Sequence, residues 1–212
     1  MEFEFIKPAE IEKRSFEIIT EELGERFFPP EIEPVIKRVI HTSADFDYAD
    51  NLVFSEGAVQ RAIAAIKNGA HIVTDTSMVQ AGINKKTLAQ FGGEVHCFIA
   101  DAAVAAEAKQ RGVTRSTVSM EYAAKLDVPL LFAIGNAPTA LIELARLVEA
   151  GRLEPELIIG VPVGFVNVVE SKELIMRSGA PYIVARGRKG GSNIAAAIVN
   201  ALLYQMVHRE GF

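Results

Sequence analysis

The chain has 212 residues, 50% of them hydrophobic, with 22 Lys and Arg against 27 Asp and Glu. The net charge of −5 excludes an overall pull toward nucleic acid or anionic lipid, so an anionic ligand must be met by a local cluster of cations. No apolar run is long enough to span a bilayer, the acidic opening MEFEFIKPAE is not a signal peptide, and a single cysteine, Cys97, excludes an intrachain disulfide. These features point to a cytoplasmic protein with one domain over 1–212.

In chain order, two helices come first, over roughly 8–23 and 30–41, with Pro8 and Pro30 suited to first turns. In the first, Ile11, Ile18, Ile19 and Leu23 form an apolar side, and Ser15 lies within that arc. A hydroxyl there bonds back to the carbonyl four residues earlier, or it meets a ligand. In the second, a rotation of about 100° per residue puts Ile32, Val35, Ile36, Val39 and Ile40 on one face. Arg38 and His41 fall on nearly the opposite face, about 60° apart. They are a solvated pair or the lining of a cleft. At the helix end the dipole favours the protonated imidazole, and Arg38 opposes it, so His41 is a candidate general acid or base.

The run HTSADFDYAD follows. As a calcium loop from Asp45 it has acids at the first and third positions and Glu56 at the twelfth, but it lacks the turn glycine, and a strand begins in its second half. His71, His96 and His208 show no metal spacing along the chain, so no metal is expected.

After Asn51, short β-branched runs alternate with helical patterns. Strands are expected over 52–54, 71–74, 95–99, 129–134, 156–163 and 181–186. Helices between them start at Ser55, Asp101 and Asn136 and stop at Gly69, Gly112 and Gly151. Cys97, in the 95–99 strand, reads as a buried thiol. This alternation predicts an α/β fold: a mostly parallel sheet with helices on both faces, preceded by the helical pair. Ligands of such sheets bind beyond the carboxyl ends of the strands, which places TDTSMVQAG, GNAPT, VPVGFVN and ARGRKGGSN at the binding edge. The last is basic and glycine-rich and opens a helix at Ser192, an arrangement that suits an anion. It is not a nucleoside-triphosphate loop, and no dinucleotide fingerprint follows the first strand.

The segments KRSFEII, RVIHTSADFDYA, GNAPTAL, VPVGFVNVVESKE and ARGRKGGSNIAAA, in this order across nearly the whole chain, resemble the precorrin-8X / cobalt-precorrin-8 methylmutases of cobalamin biosynthesis. The resemblance implies an α/β homodimer with a tetrapyrrole site close to the subunit interface. It also implies a methyl shift from carbon 11 to carbon 12 of ring C, with no cofactor. The form HTSADFDYA is more similar to the enzymes whose substrate already carries cobalt. The alternatives are the metal-free precorrin-8X substrate or a non-catalytic corrinoid carrier. By the same resemblance His41 is catalytic, and Ser15 and Arg38 touch substrate. Chemistry adds further candidates for the substrate's carboxylates: Arg115, Arg186, Arg188 and Lys189 in loops, and Asn136 and Thr139 at a helix start.

Overall fold

The structure is a computed structural model that describes residues 5–207, so His208 lies outside the described residues. A 3₁₀ turn at Pro8–Glu10 leads into α1 (Ile11–Leu23), and α2 spans Glu33–Ser43. The proline in the first turn of α2 is Pro34, not Pro30, because the chain from Pro29 first makes a turn. His41 therefore sits in the last turn rather than at the end; Ala44 closes the helix in the left-handed region and donates to the Ile40 carbonyl. The short α3 (Tyr48–Asn51) delivers the chain to β1 (Leu52–Phe54).

From there the elements are α4 (Ala58–Lys67), β2 (His71–Thr74), α5 (Ser77–Gly82), α6 (Lys85–Ala89), β3 (Val95–His96), α7 (Ala102–Arg111) and α8 (Arg115–Ala123). They continue with β4 (Leu130–Ile134), α9 (Pro138–Glu149), β5 (Leu157–Gly160), α10 (Val168–Arg177), β6 (Tyr182–Ala185) and α11 (Ser192–Tyr204). The expected strand over 95–99 stops at His96, and Cys97 is half-buried rather than buried. Ser55 does not cap α4; its hydroxyl accepts the Tyr182 N–H at 2.9 Å and helps fix β1 on β6.

The sheet order is β1-β6-β5-β4-β2-β3, with β1 antiparallel to β6 and every other pair parallel. Every residue of β4 and β5 is buried, as a strand covered on both faces must be. Alternate residues feed two cores. Leu131, Ala133 and Ile159 join α2, α4, α5 and α11, while Phe132, Ile134 and Ile158 join α9 and α10. The strand order reverses direction between β2 and β4, which is where such sheets open a crevice beyond their carboxyl ends.

Candidate active site

α2 buries Val35, Ile36, Val39 and Ile40 in the core it shares with α11. That packing turns Arg38 and His41 away from the core. His41 is exposed on one side, and its ring lies against Phe16 of α1, with centroids 5.3 Å apart and planes 17° apart. The Arg38 guanidinium lies 4.8 Å over the same Phe16 ring and 5.3 Å over Tyr204, and it is ion-paired with Glu12. Phe16 is thus the platform that holds both groups. Packing on it strips water from the imidazole and, with Arg38, holds the His41 pKa below its ordinary value, against a smaller upward pull from Glu12. The helix end was expected to favour the charged ring; the net direction is downward. Ser15, beside Phe16, donates its hydroxyl to the Ile11 carbonyl at 2.9 Å, and its oxygen remains able to accept.

The acidic run is held by ion pairs rather than left as a free turn. Asp45 and Asp47 each accept from the Lys189 ammonium at 2.6 Å, and Asp50 accepts from Arg26 at 2.9 Å. Lys189 was expected to be a cation open to ligand. Instead its charge is held between two carboxylates, which raise its pKa, while the Lys189 bond holds the Asp45 carboxyl below its usual range. These bonds tie the end of α2 to the loop after β6. The Arg186 N–H adds a bond to the Asn51 carbonyl at 2.8 Å. Arg186 and Arg188 remain exposed: Glu173 lies 4.0 Å from the Arg186 side chain, and the Arg188 guanidinium sits 5.4 Å over Phe165. Phe165 and Val166 of the loop after β5 are 82% and 77% exposed, an apolar surface beside two cations.

Two residues that organise this edge were not legible in the sequence. Lys172 of α10 is 1% exposed, and its ammonium donates to the carbonyls of Gly187 and Lys189, both at 2.8 Å. It fixes the basic loop from beneath, and burial brings its pKa down to about 8. Asp75, just past β2 and 1% exposed, accepts the N–H groups of Gly135, Asn136 and Ala137 at 3.0, 2.8 and 2.7 Å. Burial raises its pKa in spite of these three bonds. Gly135 is required there: a Cβ would fall 2.7 Å from the Ser192 Cα, where the loop enters α11. The pattern VESKE looks like a solvated helix face, and only the position of α10 beneath the loop reveals the buried ammonium.

Arg115 is the first residue of α8, not part of a loop, and is exposed. The preceding Thr114 caps that helix by accepting the Thr117 N–H, and its hydroxyl donates to Thr139 at 2.8 Å. Asn136 is exposed on the turn that Asp75 holds. Arg115, Asn136 and Thr139 therefore form one group beyond β4. Arg38 and His41 form another on Phe16, with Ser15 preceding Phe16 in α1, and Lys189 belongs to the bridge between α2 and the β6 loop.

A mostly parallel sheet with exposed Arg186 and Arg188 and a glycine-rich helix entry beyond its carboxyl ends is the arrangement by which one class of α/β proteins holds anionic ligands. The comparisons narrow this. Residues 10–205 match the family described as CbiC, precorrin-8X methylmutase. A cobalt-precorrin-8 methylmutase of Salmonella typhimurium is 48% identical over 94% of this chain and 96% of its own. One of Priestia megaterium is 47% identical over 93% and 88%, and a precorrin-8X methylmutase of Pseudomonas aeruginosa is 41% identical over 91% and 93%. The crystal structure of the Thermus thermophilus precorrin-8X methylmutase superposes with a TM-score of 0.84 at 40% identity, covering 92% of this chain and 96% of that one. The chain belongs to the precorrin-8X methylmutase family, whose members are isomerases.

Proposed function

We propose that this protein moves a methyl group from carbon 11 to carbon 12 of ring C of cobalt-precorrin-8, with His41 as the proton donor. The 47–48% identity to proteins named cobalt-precorrin-8 methylmutase supports the cobalt-loaded substrate over the metal-free one. The observation that carries the site is that His41 presents an open imidazole beside Arg38, while its neighbours Val39 and Ile40 are buried. The shift breaks one carbon–carbon bond and makes another in concert, so the residues must position the macrocycle and supply a proton. Protonation at a ring-C nitrogen polarises the conjugated system toward the rearranged product. Holding a large ligand in its reactive shape accounts for the remainder.

The free protein keeps His41 below its ordinary pKa. A substrate rimmed with carboxylates acts on it in the same direction as Glu12, upward, so binding itself charges the donor. Arg186 and Arg188 take carboxylates of the substrate, and the exposed Phe165 and Val166 meet the apolar macrocycle. Arg115, Asn136 and Thr139 contact the far rim, and Ser15 and Arg38 hold the near one. Lys189 serves as the clasp that keeps α2 against the loop. We further propose one domain, a cytoplasmic location and a homodimer. The dimer is supported by Ile11 and Ile18 of α1, 53% and 37% exposed on what was expected to be an apolar side.

The test is turnover of matched cobalt-loaded and metal-free substrates by purified protein with nothing else added. Rearrangement of the cobalt form at the higher kcat/KM supports the proposal. Preference for the metal-free form reassigns the branch, and tight binding of both without rearrangement makes the protein a carrier.

A further inference from the structure

His71, Glu94 and His96 have no part in the chemistry above. They are far apart by the standards of chain motifs, but the sheet brings them together. β2 and β3 run parallel, with Ile72 opposite Val95 and Val73 opposite His96. Because side chains alternate, His71, Glu94 and His96 all project from the same face. His71 Nδ1 lies 2.7 Å from His96 Nε2, and one ligand atom from each of the three residues lies within 4.8 Å of the others. The two rings are close to parallel at 17°, and Phe98 lies along the far side of His96 with ring centroids 6.1 Å apart. His71 opens β2 and Asp75 follows its end, so the cluster lies about 13 Å along the strand from the turn at the carboxyl edge.

A neutral N–H···N bond explains the two imidazoles. It leaves the nearby carboxylate without a role, since a neutral ring pair gains little from it. Two imidazole nitrogens and one carboxylate oxygen form a donor set for a borderline divalent ion, and they lack the oxygen-rich shell that calcium or magnesium needs. With bonds of about 2.0–2.1 Å, a tetrahedral ion places two ligand nitrogens about 3.3 Å apart. The rings need to separate by only about 0.6 Å, within reach of side-chain rotation, and the exposed side of Glu94 leaves room for water at the remaining position. We propose that His71, Glu94 and His96 form a binding site for a divalent transition ion of the zinc class. When the ion binds, the ring that donates the N–H carries its proton on its other nitrogen instead, so that both facing nitrogens offer lone pairs, and the ion clips the two-residue β3 to β2 at the edge of the sheet.

Untagged protein, stripped with a chelator, is titrated with zinc chloride by calorimetry, and with cobalt(II) followed by its visible d–d absorption. One equivalent of each is expected to bind, with a tetrahedral-type cobalt spectrum, and zinc is expected to raise the melting temperature. Loss of an outer hydrogen-bond partner alone costs about 10–100-fold in metal affinity, so His71→Ala and His96→Ala should each weaken binding by at least about tenfold and abolish the melting shift. Glu94→Gln, at an exposed position that leaves folding intact, should weaken zinc as well. His41→Ala should leave the titration unchanged. The proposal is overturned if the parent protein binds no stoichiometric zinc or cobalt. It is equally overturned if the equivalent persists in the His71→Ala/His96→Ala and Glu94→Gln proteins, or is lost with His41→Ala.

Discussion

In the proposed mechanism His41 is the proton donor, and its surroundings set the sign of its pH dependence. A general acid works only while protonated, so kcat/KM falls as pH rises through the pKa of free His41, which lies below 6.5. In the proposed complex the substrate's carboxylates would raise that pKa, so the descending limb of kcat should lie at higher pH than the limb of kcat/KM. Glu12→Gln removes an upward pull and should move the kcat/KM limb lower still; a limb that stays fixed in Glu12→Gln assigns the titration to another group. Arg186→Ala and Arg188→Ala should each weaken substrate binding by about 1.5–3 kcal/mol, the size of a hydrogen bond to a charged partner. Equilibrium titration at two salt concentrations measures this, and no change in either variant makes the two arginines bystanders. At this scale the sequence was informative wherever a local pattern governs. The helical wheel separated Arg38 and His41 from the buried face of α2 without any knowledge of α11. It could not reveal that Lys189 is neutralised, because its partners Asp45 and Asp47 lie about 140 residues earlier in the chain.

At the scale of elements, the binding edge is held by groups beneath it. Lys172→Met keeps the bulk of the side chain but leaves the carbonyls of Gly187 and Lys189 without their buried donor. A loss of about 1–3 kcal/mol in urea unfolding is expected, with weakened substrate binding, since the loop that carries Arg186 and Arg188 loses its anchor. If binding is unaffected in the folded variant, the loop holds its shape by other means. The Lys172 pKa of about 8 also has a signature. A lysine depressed in the folded state binds fewer protons there than in the unfolded chain, so its contribution to stability rises with pH between about 8 and its ordinary 10.5. That rise should be missing from the pH–stability profile of Lys172→Met. The strands and the helices α4, α7, α9 and α11 were readable from alternation, Pro138, the stop glycines and the glycine-rich entry at Ser192. The helices α8 and α10 were not read, nor were α5 and α6, where six and five residues are too few to establish a period. Pro30 misled because Pro34, four residues on, is the one that enters the helix, a choice made by the turn from Pro29.

For the whole molecule, the proposed dimer would cover the exposed Ile11 and Ile18 of α1 with a second copy of the chain. Light scattering at micromolar concentration should give about 46 kDa, twice the 23.0 kDa of one chain, and Ile18→Glu should shift it toward the monomer. A parent protein that scatters as a monomer contradicts the proposed dimer. The α/β class, and the gathering of the loops after the strands at one edge, were accessible because a parallel sheet imposes buried strands and crossover helices on the sequence. The order of the strands across the sheet was not, since it is set by pairing across the sheet rather than by pattern along the chain. Single-turnover methyl migration in His41→Ala, first shown to be folded and to bind cobalt-precorrin-8, tests the central claim most directly. The rate should fall by about 10²–10⁴-fold with binding largely retained, because the carboxylate contacts are untouched. A variant that rearranges bound substrate within a few-fold of the parent rate would show that His41 only positions the macrocycle and that the proton comes from another group.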